Sequence, residues 1–233
     1  MNLYEIDRAF SGARVFDISP QVSESTAVFP GDQKFRREHL LQFSQGHHLD
    51  LSHIQTSLHI GAHADAPSHY SGEGRPISEV DPMRYVGHAW VARCDVTVSQ
   101  ARVSLNDLSR ETQDWIARRN SASLQGRGWR FLLSTGTCSD SEVWNPDFAS
   151  YHPSLIETLA KSGCVLVGID TPSVDPETSK DLPSHQALFR NQLSVLEGLA
   201  LEGVSEGEYF LIAQPLKIAK ADASPVRALL LQF

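Results

Sequence analysis

The sequence predicts a mixed α/β domain, and three observations carry that expectation. Residues 153–161 (PSLIETLAK) read as a helix stopped by Gly163, and they lead straight into the continuous apolar run 164–169 (CVLVGI), which suits a strand covered on both faces. Shorter runs rich in Val, Ile, Leu and aromatic residues recur along the chain between Pro, Gly and Asp clusters, the pattern of strands separated by turns. The 233 residues show no internal repeat, low-complexity tract or linker, so a single compact domain over residues 1–233 with one core is expected. At this length folding buries roughly 70 to 75 per cent of the unfolded chain's surface, so stability needs neither disulfides nor a structural metal. Any metal would serve chemistry first.

The elements follow in order. Residues 14–19 (RVFDIS) read as a strand, and 20–32 (PQVSESTAVFPGD) as an irregular segment ended by a Pro-Gly turn. Residues 49–58 alternate, with Leu49, Leu51 and His53 on one side, and run directly into 59–69 (HIGAHADAPSH), where Gly61 and Pro67 oppose a continuous helix. A strand is expected over 88–96. Residues 104–119 read as a helix capped by Ser104, with Leu105, Leu108, Trp115 and Ile116 on its apolar face. Another strand follows over 129–134. The polar, proline-punctuated stretch 170–183 (DTPSVDPETSKDLP) reads as a loop, followed by a short helix from Ser184 and strands over 194–201, 209–218 and 226–233.

Composition narrows the function. A net charge of −8 and the absence of a long Lys/Arg run argue against a protein that neutralises phosphates, so no nucleic-acid partner is expected. Arg118 and Arg119, after Trp115 and Ile116, read as the basic last turn of a helix beside its own dipole. Cys94, Cys138 and Cys164 are odd in number, lack CxxC spacing and sit in or beside apolar segments, which suits reduced thiols in a reducing compartment. The first twelve residues mix Glu5, Asp7 and Arg8 with apolar residues, and no run approaches membrane-spanning length. A soluble cytoplasmic protein without a membrane partner is the expectation.

His59, His63, Asp65 and His69 fall within eleven positions, separated by the small residues Gly61, Ala62, Ala64 and Ala66. Imidazole nitrogen and carboxylate oxygen are the ligands that borderline divalent cations accept, and the small residues leave room for close approach. Lone histidines such as His39, His88 and His152 read as surface or core-edge groups. The cluster reads differently, because several polar groups crowded together are costly to bury unless a cation or hydrogen bonds satisfy them. Further ligands must come from elsewhere in the chain. Candidates are His185, after the proline-rich loop, and Glu197, a carboxylate between Leu196 and Leu199; for Glu197, half-exposure or pairing with Arg190 is the alternative.

Several stretches together resemble the cyclase-type metal-dependent hydrolase family, and within it the bacterial kynurenine formamidases (arylformamidases). They are 16–19 (FDIS), 29–32 (FPGD), 59–69, 144–148 (WNPDF), 168–185 (GIDTPSVDPETSKDLPSH), 196–198 (LEG) and 222–227 (DASPVR). The resemblance spans nearly the whole chain; the histidine segment marks the superfamily, and 168–185 narrows it to the formamidases. It implies a small β-barrel-like sheet flanked by helices, of the swivelling β/β/α type. It also implies two divalent ions, typically Zn2+ with Mn2+ or Co2+ also acceptable: His59, His63 and Asp65 on the first, His185 on the second, Asp65 and Glu197 bridging. His69 becomes the acid/base residue beside a metal-activated water, the assembly a homodimer, and the small-molecule substrate N-formyl-L-kynurenine, cleaved to L-kynurenine and formate in tryptophan degradation. Phe29 stands where the family commonly has Trp; it keeps an aromatic face for the substrate but loses the indole donor. Alternatives are a hydrolase of a cyclic amide such as isatin, or a non-catalytic metal-binding protein on the same scaffold.

Overall fold

The computed structural model describes residues 3–94, 100–119 and 128–233. Helix α1 (Leu3–Gly12) leads into β1 (Arg14–Asp17), and β2 (Arg36–Leu41) pairs with β3 (Leu51–Gln55) as a separate antiparallel ribbon. Then come β4 (His63–Asp65), α2 (Pro67–Tyr70), β5 (Val86–Arg93), β6 (Arg102–Val103), α3 (Arg110–Ala117), β7 (Trp129–Ser134) and β8 (Ser150–Tyr151). The chain ends with α4 (Pro153–Lys161), β9 (Cys164–Ile169), α5 (Pro183–Asn191), β10 (Ser194–Glu197), β11 (Gly207–Ile212), β12 (Ala223–Pro225) and β13 (Leu229–Gln232).

Among the described residues nine strands form one mixed sheet in the order β1-β13-β11-β5-β7-β9-β10-β4-β12. The central run β5-β7-β9-β10 is parallel and the strands on either side pair antiparallel. Parallel strands must be covered on both faces, which is why every residue of β7 is buried. Alternation along these strands divides the core in two. Phe131, Leu133, Val167 and Ile169 face α3, α4 and α5 together with Trp90, Trp115 and Trp129, while Leu132 and Leu166 face a second cluster with Ile18, Tyr85, Leu196, Leu211 and Leu230. The buried indoles are satisfied: Trp90 Nε1 donates to Thr112 Oγ1 at 2.8 Å and Trp129 Nε1 to the Ser162 carbonyl at 3.1 Å.

The elements expected over 129–134, 153–161 and 164–169 are found at those bounds. The expected single helix over 104–119 is instead a short 3-10 turn, Leu105–Asp107, followed by α3. Two N-caps lie five positions apart and prevent one continuous helix: Ser104 forms a capping box with Asp107, and Ser109 Oγ accepts from the Thr112 N–H. Pro67, read as opposing a helix, starts α2, because at a first-turn position its missing N–H costs no hydrogen bond. The strand expected over 194–201 stops at Glu197, where Gly198 turns the chain with φ +65°. The strand expected over 88–96 begins at Val86 and runs to Arg93; residues 95 and 96 lie outside the described residues. The single core expected is two clusters, one on each face of the sheet. No helix of the described residues is long and apolar enough to cross a membrane, and Cys94, Cys138 and Cys164 form no disulfide.

Candidate metal centre

Strand β4 lies between β10 and β12, and its register places His63 opposite Glu197 and Asp65 opposite Val195. Side chains two apart on a strand share a face, and so do directly opposed cross-strand pairs, so His63, Asp65 and Glu197 project together. Ala64 projects the other way, into the second core cluster. His185 arrives from the first turn of α5. The Asp175 carboxylate accepts the N–H groups of Ser184 and His185, each at 3.0 Å, and also the His185 Nδ1–H at 2.9 Å. A carboxylate at a helix N-terminus is favourable in its own right, and here it also fixes the imidazole so that Nε2 points inward.

The result is a buried cluster at 1 to 3 % exposure, contributed by residues far apart in the chain: His63, Asp65, His185 and Glu197. His63 Nδ1 donates to the Gly61 carbonyl at 2.9 Å, leaving Nε2 3.4 Å from both Asp65 Oδ1 and Glu197 Oε2. His185 Nε2 lies 3.5 Å from Glu197 Oε1 and 3.6 Å from Asp65 Oδ2. Glu197 Oε1 accepts from the Val174 N–H at 2.8 Å. His59, half-buried, sets Nδ1 2.9 Å from Asp65 Oδ1 and Nε2 3.0 Å from Asp222 Oδ2. His69, on α2, is half-exposed, with its ring 4.2 Å from that of His59 and Nδ1 3.7 Å from Asp222 Oδ2.

The inner atoms of this cluster have no hydrogen-bond partner. His63 Nε2, His185 Nε2 and both Asp65 oxygens are buried without one; the close approach of His59 to Asp65 lacks hydrogen-bond geometry. Each such orphan costs about 1–3 kcal/mol, so several on one spot call for a common partner. Imidazole and carboxylate at this spacing fit divalent cations. Two groups have all their ligand atoms within 4.8 Å of one another: His59, Asp65 and His69, and His63, Asp65 and Glu197. Asp65 belongs to both.

Mutual pairing shapes the charges. Burial pulls the His63 imidazole down, but Asp65 and Glu197 outweigh it and hold it at about 10. Burial is likewise outweighed at His185, raised well above the ordinary histidine value by Asp175, Asp65 and Glu197. Asp65 is held well below the carboxylate range against burial, by His185, His59 and His63, and Glu197 is lowered against burial and Asp65 by His185 and His63. The site is built to hold positive charge among its carboxylates.

All the candidate ligands therefore meet at one place, with His69 at its rim. Phe29 is 40 % exposed and meets Trp144 edge-on at 5.2 Å between ring centroids; both line a cavity of about 760 Å³ that also reaches His59, His63, His69, His185 and Glu197. Arg190 does not pair with Glu197 but lies 3.9 Å from Glu157, so that alternative falls. His152 caps α4 and His88 sits 3.7 Å from Glu208, in keeping with structural roles. Sequence reasoning assigned no role to Asp175 and Asp222. The signal for them is chemical: an imidazole that binds metal through one nitrogen needs an acceptor for the other.

Comparison with known proteins agrees with this geometry. The Cyclase family model matches residues 16–176. The kynurenine formamidase of Bordetella petrii is 40% identical over 217 residues, covering 93% of this chain and 97% of its own, and that of Polaromonas naphthalenivorans is 41% identical over 220 residues, covering 93% and 90%. Among solved structures, one described as a predicted metal-dependent hydrolase from Bacillus stearothermophilus has a TM-score of 0.73 at 26% identity, covering 94% of this chain and 98% of its own. An isatin hydrolase bound to the product analogue thioisatinate has a TM-score of 0.81 at 20% identity, covering 100% and 99%, a likeness of fold alone.

Proposed function

The chain belongs to the Cyclase family and, within it, to the kynurenine formamidases, and from that premise we propose that it hydrolyses N-formyl-L-kynurenine to L-kynurenine and formate. The observation that carries this reading is the set of orphaned inner atoms on His63, Asp65 and His185, beside Glu197, at the floor of an aromatic-walled cavity. In this reading His59, His63 and Asp65 would hold one divalent ion and His185 a second, with Asp65 and Glu197 within reach of both. Zinc is the expected metal, and manganese or cobalt suits the same donors. The chemistry such ions supply when held there is acidification of water toward neutral pH and positive charge for a developing oxyanion.

The chain's own groups do the rest. Buried walls around His63, Asp65 and Glu197 exclude bulk water, which strengthens every charge interaction inside. In this reading His69, at the rim beside Asp222, gives a proton to the departing arylamine nitrogen. Phe29 and Trp144 offer aromatic faces to the substrate ring. A cysteine nucleophile is disfavoured, because burial pushes the Cys138 thiol in the cavity wall up to about 12.

The reading extends to one domain over 1–233 with a barrel-like core of the swivelling β/β/α type, supported by the single nine-stranded sheet. It includes a cytoplasmic homodimer. The three cysteines, none of them in a disulfide, support the compartment, and the β2–β3 ribbon, with Leu40 and Ile54 about 60 % exposed, supports a partner. The test is metal analysis of the purified protein alongside formate release from N-formyl-L-kynurenine and hydrolysis of isatin, before and after chelation. Formate release that vanishes with the metal and returns on reloading is expected. Metal-loaded protein that opens only isatin, or turns over nothing, would overturn the assignment.

A further inference from the structure

We propose that Glu177 is the specificity residue of this cavity, binding the cationic α-ammonium of the substrate and so selecting aromatic formamides that carry an amino-acid tail over neutral ones. The inference rests on the formamidase reading and deepens it.

The loop after β9 is tied to the candidate centre at successive positions: the Val174 N–H binds Glu197, and Asp175 holds His185. Two residues further on, Glu177 accepts the indole N–H of Trp144 at 3.0 Å, and Trp144 in turn meets Phe29. Glu177 is thereby fixed relative both to the reacting end of the cavity and to its aromatic wall. Other carboxylates of the lining are engaged elsewhere: Asp170 by Thr135 and Gly136, Asp222 by His59. Asp32, Asp140 and Glu202, also in the lining, are exposed. Glu177 is half-buried and takes one neutral donor, while a carboxylate can accept about four hydrogen bonds. Arg93 is the only Lys or Arg in the described lining, so the cavity's charge favours a cation over an anion. An ammonium meeting a half-buried carboxylate forms the stronger, charge-assisted kind of hydrogen bond.

The test uses metal-loaded wild type and Glu177→Gln, which keeps an acceptor for the Trp144 indole. The substrates are N-formyl-L-kynurenine, its analogue lacking the α-amine, and formanilide. The ratio of kcat/KM for N-formyl-L-kynurenine to that for the amine-free analogue should fall about 10- to 100-fold in the variant, chiefly through KM, the span expected for losing one charge-assisted bond. An unchanged ratio would overturn the proposal, whether turnover of all three substrates drops together or stays intact. Wild type that hydrolyses none of the three would instead sink the formamidase reading, and the inference with it.

Discussion

Gly198→Ala puts a methyl group where two backbones already touch. Gly198 has φ +65°, and a Cβ there would lie 2.2 Å from the Gly61 carbonyl oxygen and 2.9 Å from its carbon, although contacts below 3.0 Å are essentially never tolerated. Both partners are backbone, so neither can swing aside, and one must move by the better part of an ångström. Gly61 is no bystander, because its carbonyl accepts from His63 Nδ1, while Glu197 immediately precedes the substituted residue. Left-handed backbone costs alanine about 1–2 kcal/mol and overpacking about 1–3 more, a loss of about 2–5 kcal/mol. For a chain of this size that lowers Tm by about 4–20 °C. Displacing the hydrogen bond that orients His63, a proposed metal ligand, should also weaken cation affinity about 10- to 100-fold.

Gly203→Ala separates strain from collision. Gly203 has a similar φ, +77°, but nothing lies within 4 Å of its would-be Cβ. It carries the backbone cost alone. Thermal melts of both chelated variants, and zinc titrations against a competing chelator, should show Gly198→Ala well below Gly203→Ala in each. Equal melting temperatures and equal zinc affinity would refute the argument that Gly198 is required by close approach.

Three further outcomes follow from the site. Asp175→Asn removes the anionic acceptor that orients His185, so zinc affinity should fall about 10- to 100-fold; full occupancy at wild-type affinity would show that the imidazole holds its position without it. His69→Ala should lower kcat about 10²- to 10⁴-fold with metal content unchanged, and an emptied site with unchanged turnover per bound metal would make His69 a ligand instead. Chelation should lower the melting temperature: cation at about a hundred times its Kd adds about 2.7 kcal/mol, or about 5–11 °C at this size, and coincident melts with and without chelator would deny a tight site.

Legibility in the sequence followed the range of the interactions involved. Residues 153–169 could be read to the residue because helix, glycine stop and covered strand are all encoded locally, in side chains of one unbroken stretch. The expected helix over 104–119 divides in the structure because apolar spacing continues through two capping serines, and the caps decide. Residue chemistry marks His59, His63, Asp65 and His69 as a group, but it carries no information on distance to Glu197, which meets His63 only through the β4–β10 register. Asp175 and Asp222 were invisible for a related reason. A second partner for an imidazole is a three-dimensional requirement that many aspartates could meet, and only the fold selects which does.

The alanines between the candidate ligands show how sheet geometry and site chemistry are joined. Read as spacers, they make room for a cation's close approach. In the structure Ala62, Ala64 and Ala66 belong to the second core cluster, packed with Ile18, Tyr85 and Leu196 on the face away from His63 and Asp65. Their period of two is the period of the strand: one set of alternating positions points to the centre and the other into the core. Small side chains on the core face let β4 lie close against that cluster while β10 and β12 clamp it on both edges. The rigidity that the proposed metal site needs therefore comes from residues carrying no polar side-chain atoms, and the pattern HxGAHADA encodes a candidate ligand face and a packing face in the same eight residues.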